Sequence, residues 1–134
     1  MLIGKSSEAK LKAVHPDLAR VVRRVADNLI DPALGFIITC GARTLDEQKI
    51  LLAKGASRTL RSRHIPGRNG FSHAVDFAVT LNGEARWDWP LYVNLAKAVK
   101  LAARQEDVPV EWGGNWAKFR DGPHFQLPWN TYPS

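Results

Sequence analysis

The chain has 134 residues and a mass of 14.9 kDa, the size of one domain with a substantial core. Hydrophobic residues at 45% and charged residues at 24% exclude a disordered chain. No apolar run nears the ~18–20 residues of a membrane span, and Met1-Leu2-Ile3-Gly4-Lys5 lacks the apolar region of a signal peptide. The expectation is a soluble protein made in the cytoplasm without membrane insertion.

Nineteen Lys and Arg against thirteen Asp and Glu give a net charge of +6. The whole excess lies in residues 48–75, where Lys49, Lys54, Arg58, Arg61, Arg63 and Arg68 meet no acid. Such a stretch suits nucleic acid, a phosphate-rich envelope or a carboxylate-bearing substrate, and reads equally well as a solvated loop. No helix-turn-helix, zinc-finger or RNP signature accompanies it, so nucleic acid is not expected as a partner.

In chain order, Leu18, Val21, Val22, Val25, Ala26 and Leu29 form one face of a helix over 16–29, with Arg20, Arg23, Arg24 and Asp27 on the other and Pro16 in the first turn. Asp31-Pro32 breaks it, and Phe36-Ile37-Ile38-Thr39-Cys40 reads as a short buried strand. Cys40, the single cysteine, excludes an intrachain disulfide and a multi-cysteine zinc site and reads as a small hydrophobe. Thr44 and Glu47 fit a capping box for a second helix that Gly55 would stop. A strand over 74–80 leads through the turn Asn82-Gly83 into Ala85-Arg86-Trp87. Asp88 and Pro90 then start a helix running to about Arg104. Strands over 108–112 and 124–127 close the chain. The order predicts an α+β fold with helices packed on one side of a small antiparallel sheet.

The candidate chemistry lies with three of the four histidines. His64 follows Ser62-Arg63, His73 opens His73-Ala74-Val75-Asp76, and His124 ends Asp121-Gly122-Pro123-His124; His15 reads as a helix-start residue. Two histidines and a carboxylate make a three-ligand zinc set that leaves a position for water, and a further carboxylate could serve as general base.

Five segments in order carry a resemblance. They are Gly41-Ala42-Arg43-Thr44 with Gln48, Ser62-Arg63-His64, Ser72-His73-Ala74-Val75-Asp76, Trp112-Gly113-Gly114-Asn115-Trp116, and Asp121-Gly122-Pro123-His124. Over roughly residues 6–128 the chain resembles the small zinc peptidases of the D-alanyl-D-alanine metallopeptidase and L-alanyl-D-glutamate endopeptidase group, phage endolysins in particular. The resemblance implies one catalytic domain over 1–134 with the D-Ala-D-Ala metallopeptidase/hedgehog-like fold. It implies one catalytic Zn2+ held by His64, Asp76 and His124, and Asp121 as general base on the zinc-activated water. Arg43 would stabilise the oxyanion or anchor a substrate carboxylate, and Ser62 and Trp112 would contact substrate. Gln48 is left outside the site. Of the remaining tryptophans, only Trp116 is expected near the cleft. Glu106 and Glu111 read as ordinary surface charges.

One departure needs a choice. The resemblance implies a ligand Asp seven residues after the ligand His, whereas His64 and Asp76 are twelve apart, with Pro66-Gly67-Arg68-Asn69-Gly70 between them. In a regular strand residues 73 and 76 face opposite sides, so His73 and Asp76 could share an ion only across a bulge. His64 is therefore the expected ligand, and Val75, Phe77 and Val79 the core face.

The activity implied is peptidoglycan hydrolysis at the L-alanyl-D-glutamate bond of the stem peptide, with D-alanyl-D-alanine carboxypeptidase or dipeptidase action as the alternative. A basic wall-binding module without catalysis is the alternative of another class. The expected partner is bacterial peptidoglycan, the expected state a monomer, and the basic stretch would draw the enzyme to an anionic wall. An endolysin would accumulate in the host cytoplasm and reach the wall through a separately made membrane pore.

Overall fold

The computed structural model describes residues 3–57, 61–118 and 120–133. Its elements are α1 (Lys5–Leu11), α2 (Pro16–Asn28), β1 (Leu34–Cys40), α3 (Leu45–Ala53), β2 (Ala74–Leu81), β3 (Glu84–Arg86), α4 (Trp89–Glu106), β4 (Glu111–Trp112) and β5 (His124–Gln126). The strands form an antiparallel sheet in the order β1-β2-β5-β4, and β3 pairs with the far end of β2. This is the expected α+β class.

The stripe of α2 decides how the layers meet. Leu18, Val21, Val22 and Val25 are buried with Leu95, Val99 and Ala102 of α4, so each helix hides its apolar face against the other and against the back of the sheet. Alternation along β2 sends Val75, Phe77 and Val79 into that core. Phe77 meets Phe36 and Phe125 edge to face, with ring centroids 5.1 and 5.3 Å apart. Asp76 is left on the front face. Two ion pairs from Glu106 to Arg20 and Arg24 tie α4 to α2 at the rim.

Local signals place most element ends. Thr44 and Glu47 form both bonds of the capping box, and Gly55 stops the chain beyond α3 with φ +75°. Asn82 and Gly83 both take positive φ, as the tight turn between β2 and β3 requires.

Four elements differ from expectation. Helix α1 has no apolar stripe to announce it; it is held by buried Leu11 and by Ser7, whose Oγ accepts from the Ile38 N–H at 2.9 Å. The strand over 36–40 extends to 34–40 and is only half buried: it forms the sheet edge, Ile37 is 47% exposed, and Ile38 is its one fully buried residue, with Leu34 and Phe36 packed partly buried against the core. Asp88 occupies the N-cap position of α4 without capping it, because its carboxylate takes Arg86 instead. The strand over 108–112 shortens to β4, limited by its three-residue partner β5.

The turn through Gly113 and Gly114 carries the chain from β4 over the front face. A Cβ on Gly113 would run into the carbonyl oxygen of Asp121, and one on Gly114 into the Trp112 ring. Backbone oxygen cannot yield as a flexible side chain can. Gly113→Ala is therefore expected to lower stability by about 1–3 kcal/mol, measured by denaturant unfolding, and to shift Asp121 with it.

Candidate active site

Register builds the site. Cys40, Asp76 and His124 are direct partners across β1, β2 and β5, so their side chains stand in one row on the front face. His64 arrives from the loop before β2, which is tied down on both sides: Arg43 N–H donates to the His64 carbonyl and His73 N–H to the Arg63 carbonyl, each at 2.8 Å. Asp121 reaches the row through a turn in which its N–H donates to Gly113 and its carbonyl accepts from the His124 N–H.

The Asp76 carboxylate is the meeting point. Its Oδ1 lies 3.2 Å from His64 Nε2 and 3.0 Å from His124 Nδ1, and the two imidazole rings are 5.0 Å apart. Ligand atoms of Asp76, Asp121 and His124 lie within 4.8 Å of one another, as do those of Cys40, His64 and Asp76. Each imidazole is held by its far nitrogen. His64 Nδ1–H donates to the Gly41 carbonyl at 2.8 Å, and His124 Nε2 faces Gln126 Oε1 at 2.8 Å. His64 Nε2 is buried and makes no hydrogen bond. A buried nitrogen that makes no hydrogen bond although a carboxylate oxygen lies 3.2 Å away is what a cation would satisfy, and two imidazoles with a carboxylate are a fitting donor set for a metal of the zinc type.

The charges agree with that arrangement. Burial alone would push Asp76 up, but His124 and His64 outweigh it and hold the carboxyl well below the usual carboxylate range. Burial would likewise push His64 down, yet Asp76 and Cys40 raise it to about 10. Asp121 is raised, first by burial and then by the negative charge of Asp76. A carboxyl whose affinity for a proton is increased beside the site suits an acid-base group.

The front face opens into a cleft of about 620 Å³ lined by Arg43, Leu51, His64, Trp116, Asp121 and His124, with Lys118 and Arg120 on its rim. Arg43 leans over the row: its Nη2 is 3.8 Å from Asp76 Oδ2, and its Nη1 donates to Gln48 Oε1 at 2.7 Å. Gln48 is buried and donates in turn to Ser57 Oγ at 2.6 Å.

Sequence reasoning left Gln48 and Cys40 out. Gln48 is the one buried residue of α3, and its signal was its place beside Gly41-Ala42-Arg43-Thr44 among the segments that carry the resemblance. Cys40 sits with its Sγ 3.6 Å from His64 Nδ1 and 3.5 Å from Arg43 Nη2; only the strand register could have revealed it. Burial favours its neutral thiol, but His64 and Arg43 outweigh burial and lower its pKa.

Other expected residues fall elsewhere. Ser62 Oγ accepts from the His64 N–H at 3.2 Å and lines an adjoining groove with Leu45 and Arg68 rather than the cleft. Trp112 is buried behind the front face against Phe125 and Trp89, its Nε1 donating to the Gly122 carbonyl at 2.8 Å; Trp116 lines the cleft, 5.1 Å from His124. His15 caps α2, its Nδ1 accepting from the Asp17 N–H. The basic stretch is not one surface. Arg63 is internal, donating to the carbonyls of Leu127 and Tyr132 and lying 4.0 Å over the Trp129 ring, while Lys49, Lys54, Arg61 and Arg68 are exposed and Arg58 lies outside the described residues.

His73 takes no part in the row. It is buried against His15, with ring centroids 5.5 Å apart, and its Nε2 accepts from the Asn69 amide at 3.2 Å. Burial, reinforced by the charges of Arg63 and His15, lowers its pKa from 6.5 to about 4.

Comparison with known proteins agrees with the fold. Residues 1–127 match the family described as phage L-alanyl-D-glutamate peptidase. The L-alanyl-D-glutamate peptidase of Escherichia phage T5 is 31% identical over 133 residues, 96% of this chain and 90% of that protein. That of Listeria phage A118 is 34% identical over 126 residues, 94% of this chain, and the chain spans 42% of its length. The crystal structure of the L-Ala D-Glu endopeptidase ChiX of Serratia marcescens superposes with a TM-score of 0.86 at 40% identity, covering 97% of this chain and 92% of that one. The chain belongs to the phage L-alanyl-D-glutamate peptidase family. Among the described residues no helix is long and apolar enough to cross a membrane.

The buried His73 makes a pH prediction. Unfolded, the imidazole takes up a proton near pH 6.5; folded, it resists until about pH 4. Between these values the unfolded chain binds more protons, so stability falls as pH is lowered through that window and the effect is complete below it. His73→Gln should flatten this part of the stability profile, followed by denaturant unfolding at a series of pH values.

Proposed function

We propose that the chain is a zinc-dependent peptidoglycan hydrolase that cuts the stem peptide between L-alanine and D-glutamate. The observation that carries the reading is the buried His64 Nε2, which makes no hydrogen bond and lies 3.2 Å from the Asp76 carboxylate that His124 also faces, in a chain of this peptidase family. His64 Nε2, Asp76 and His124 Nδ1 would hold the ion. A divalent zinc there supplies Lewis acidity, lowering the pKa of water toward ~7 and polarising the scissile carbonyl.

The chain's own groups do the rest. Asp121, its proton affinity raised by burial, takes a proton from the attacking water onto a carboxylate oxygen and delivers it to the departing nitrogen of D-glutamate. Arg43, braced by Gln48 at 2.7 Å, directs a permanent positive charge at the carbonyl oxygen as negative charge develops on it. Trp116 offers an apolar wall on the His124 side of the cleft. Ser62 acts through the His64 backbone, and Trp112 through the Gly122 carbonyl beside Asp121. The protein is proposed to act as a monomer on bacterial peptidoglycan. The substrate being the wall, the enzyme acts there after release from the cytoplasm in which it is made.

Incubation of muropeptides with the zinc-loaded protein, followed by mass analysis, tests the assignment. Products should separate at the L-alanine–D-glutamate bond; loss of a terminal D-alanine with that bond intact would overturn it. Asp121→Asn should keep the metal and lose at least ~10²-fold in kcat, whereas a purely wall-binding protein would show no hydrolysis to lose. His64→Ala should lose the ion and His73→Ala keep it, measured by metal analysis of the purified variants.

A further inference from the structure

We infer that Glu111 and Gln126 form a relay that sets the tautomer of His124, presenting its Nδ1 to the metal; this rests on the metal site proposed above. Glu111 and Gln126 are direct partners across β4 and β5, and Gln126 follows His124 by two residues on β5. The three side chains therefore share the front face. Gln126 Nε2 donates to Glu111 Oε2 at 3.4 Å, and Gln126 Oε1 lies 2.8 Å from His124 Nε2. His124 and Gln126 are buried, at 6% and 7% exposure.

The relay has a direction because its outer end cannot donate. An ionised carboxylate only accepts hydrogen bonds, so it draws the amide nitrogen of Gln126 toward itself. The amide oxygen then faces His124 and can only accept, which keeps the proton on Nε2. Nδ1 is left with its lone pair toward the row. Without Glu111 the amide can turn over, its nitrogen donating to Nε2; the proton would then move to Nδ1, where the Asp76 carboxylate at 3.0 Å accepts it. That second arrangement blocks the ligand nitrogen. Glu111, an exposed residue at the end of a two-residue strand, is thus a positioning residue for His124, which it does not touch.

Charge exchange along the relay tests it. In Glu111→Gln the amide at 126 loses its director, and zinc affinity, measured by competition with a chromophoric chelator, should fall about tenfold. The slowly exchanging Nε2–H signal of His124 in the zinc-loaded protein should be lost in parallel. In the double variant Glu111→Gln/Gln126→Glu, a carboxylate next to His124 again accepts from Nε2–H and the new amide donates to it. Affinity should return to within about twofold of the original or exceed it, and the ring N–H signal should reappear. A structural role for Glu111 alone predicts no such recovery. Unchanged affinity in Glu111→Gln, or a double variant no better than the single one, overturns the relay while leaving the hydrolase reading intact. Failure of the unaltered protein to bind zinc overturns both, and failure to cut the L-alanine–D-glutamate bond despite binding zinc overturns only the function.

Discussion

The Asp76 carboxylate, wedged between two imidazoles on the open face of a five-stranded sheet, is the constraint on which the rest depends. An ionised carboxylate with little access to water must be compensated, and here the imidazoles of His64 and His124 face it at 3.2 and 3.0 Å. The same geometry that keeps the acid charged gathers three metal-type donors at one point. Chain segments far apart are committed to this small volume: the 3.0 Å contact from His124 to Asp76 closes a separation of 48 residues.

The core behind the sheet makes this arrangement rigid. Every second residue of β2 is locked into the layer formed by α2 and α4, with Val75 and Phe77 fully buried on either side of Asp76. A shift of one residue in register would bury the carboxylate and expose the core, so the packing that stabilises the fold also fixes the direction of the row. Around the row, backbone carbonyls and amides do the orienting: Gly41 holds His64, Gln126 holds His124, Gln48 holds Arg43. The close approach at Gly113 brings Asp121 within reach without filling the space with a side chain.

Much of this was legible residue by residue. The 3.6 period of Leu18, Val21, Val22 and Val25, the Thr44–Glu47 capping box and the Asn82-Gly83 turn each encode their element within a few neighbours. The parity of β2 separated Asp76 from Val75 and Phe77 and made His73 a poor companion for it. Helix α1 was not legible, since its anchoring contact is a serine that closes the edge of a strand 31 residues away. Cys40 looked like one more apolar residue of a buried strand because five residues with a single polar interruption conceal which face is open.

The sequence by itself determined the local elements, the face of each that seeks the core, the family to which the ordered motifs belong, and the candidate ligands. Tertiary structure alone decided that Cys40, Asp76 and His124 stand in one row, that Trp116 rather than Trp112 lines the cleft, and that Arg63 of the basic stretch is a buried clamp on the C-terminal segment. It also turned Glu111 from a surface charge into the outer end of a chain leading to His124. The division has a physical origin. Periodicity, caps and turns act over a few bonds, whereas inter-strand register and loop closure join residues whose separation along the chain carries no record of their distance in space.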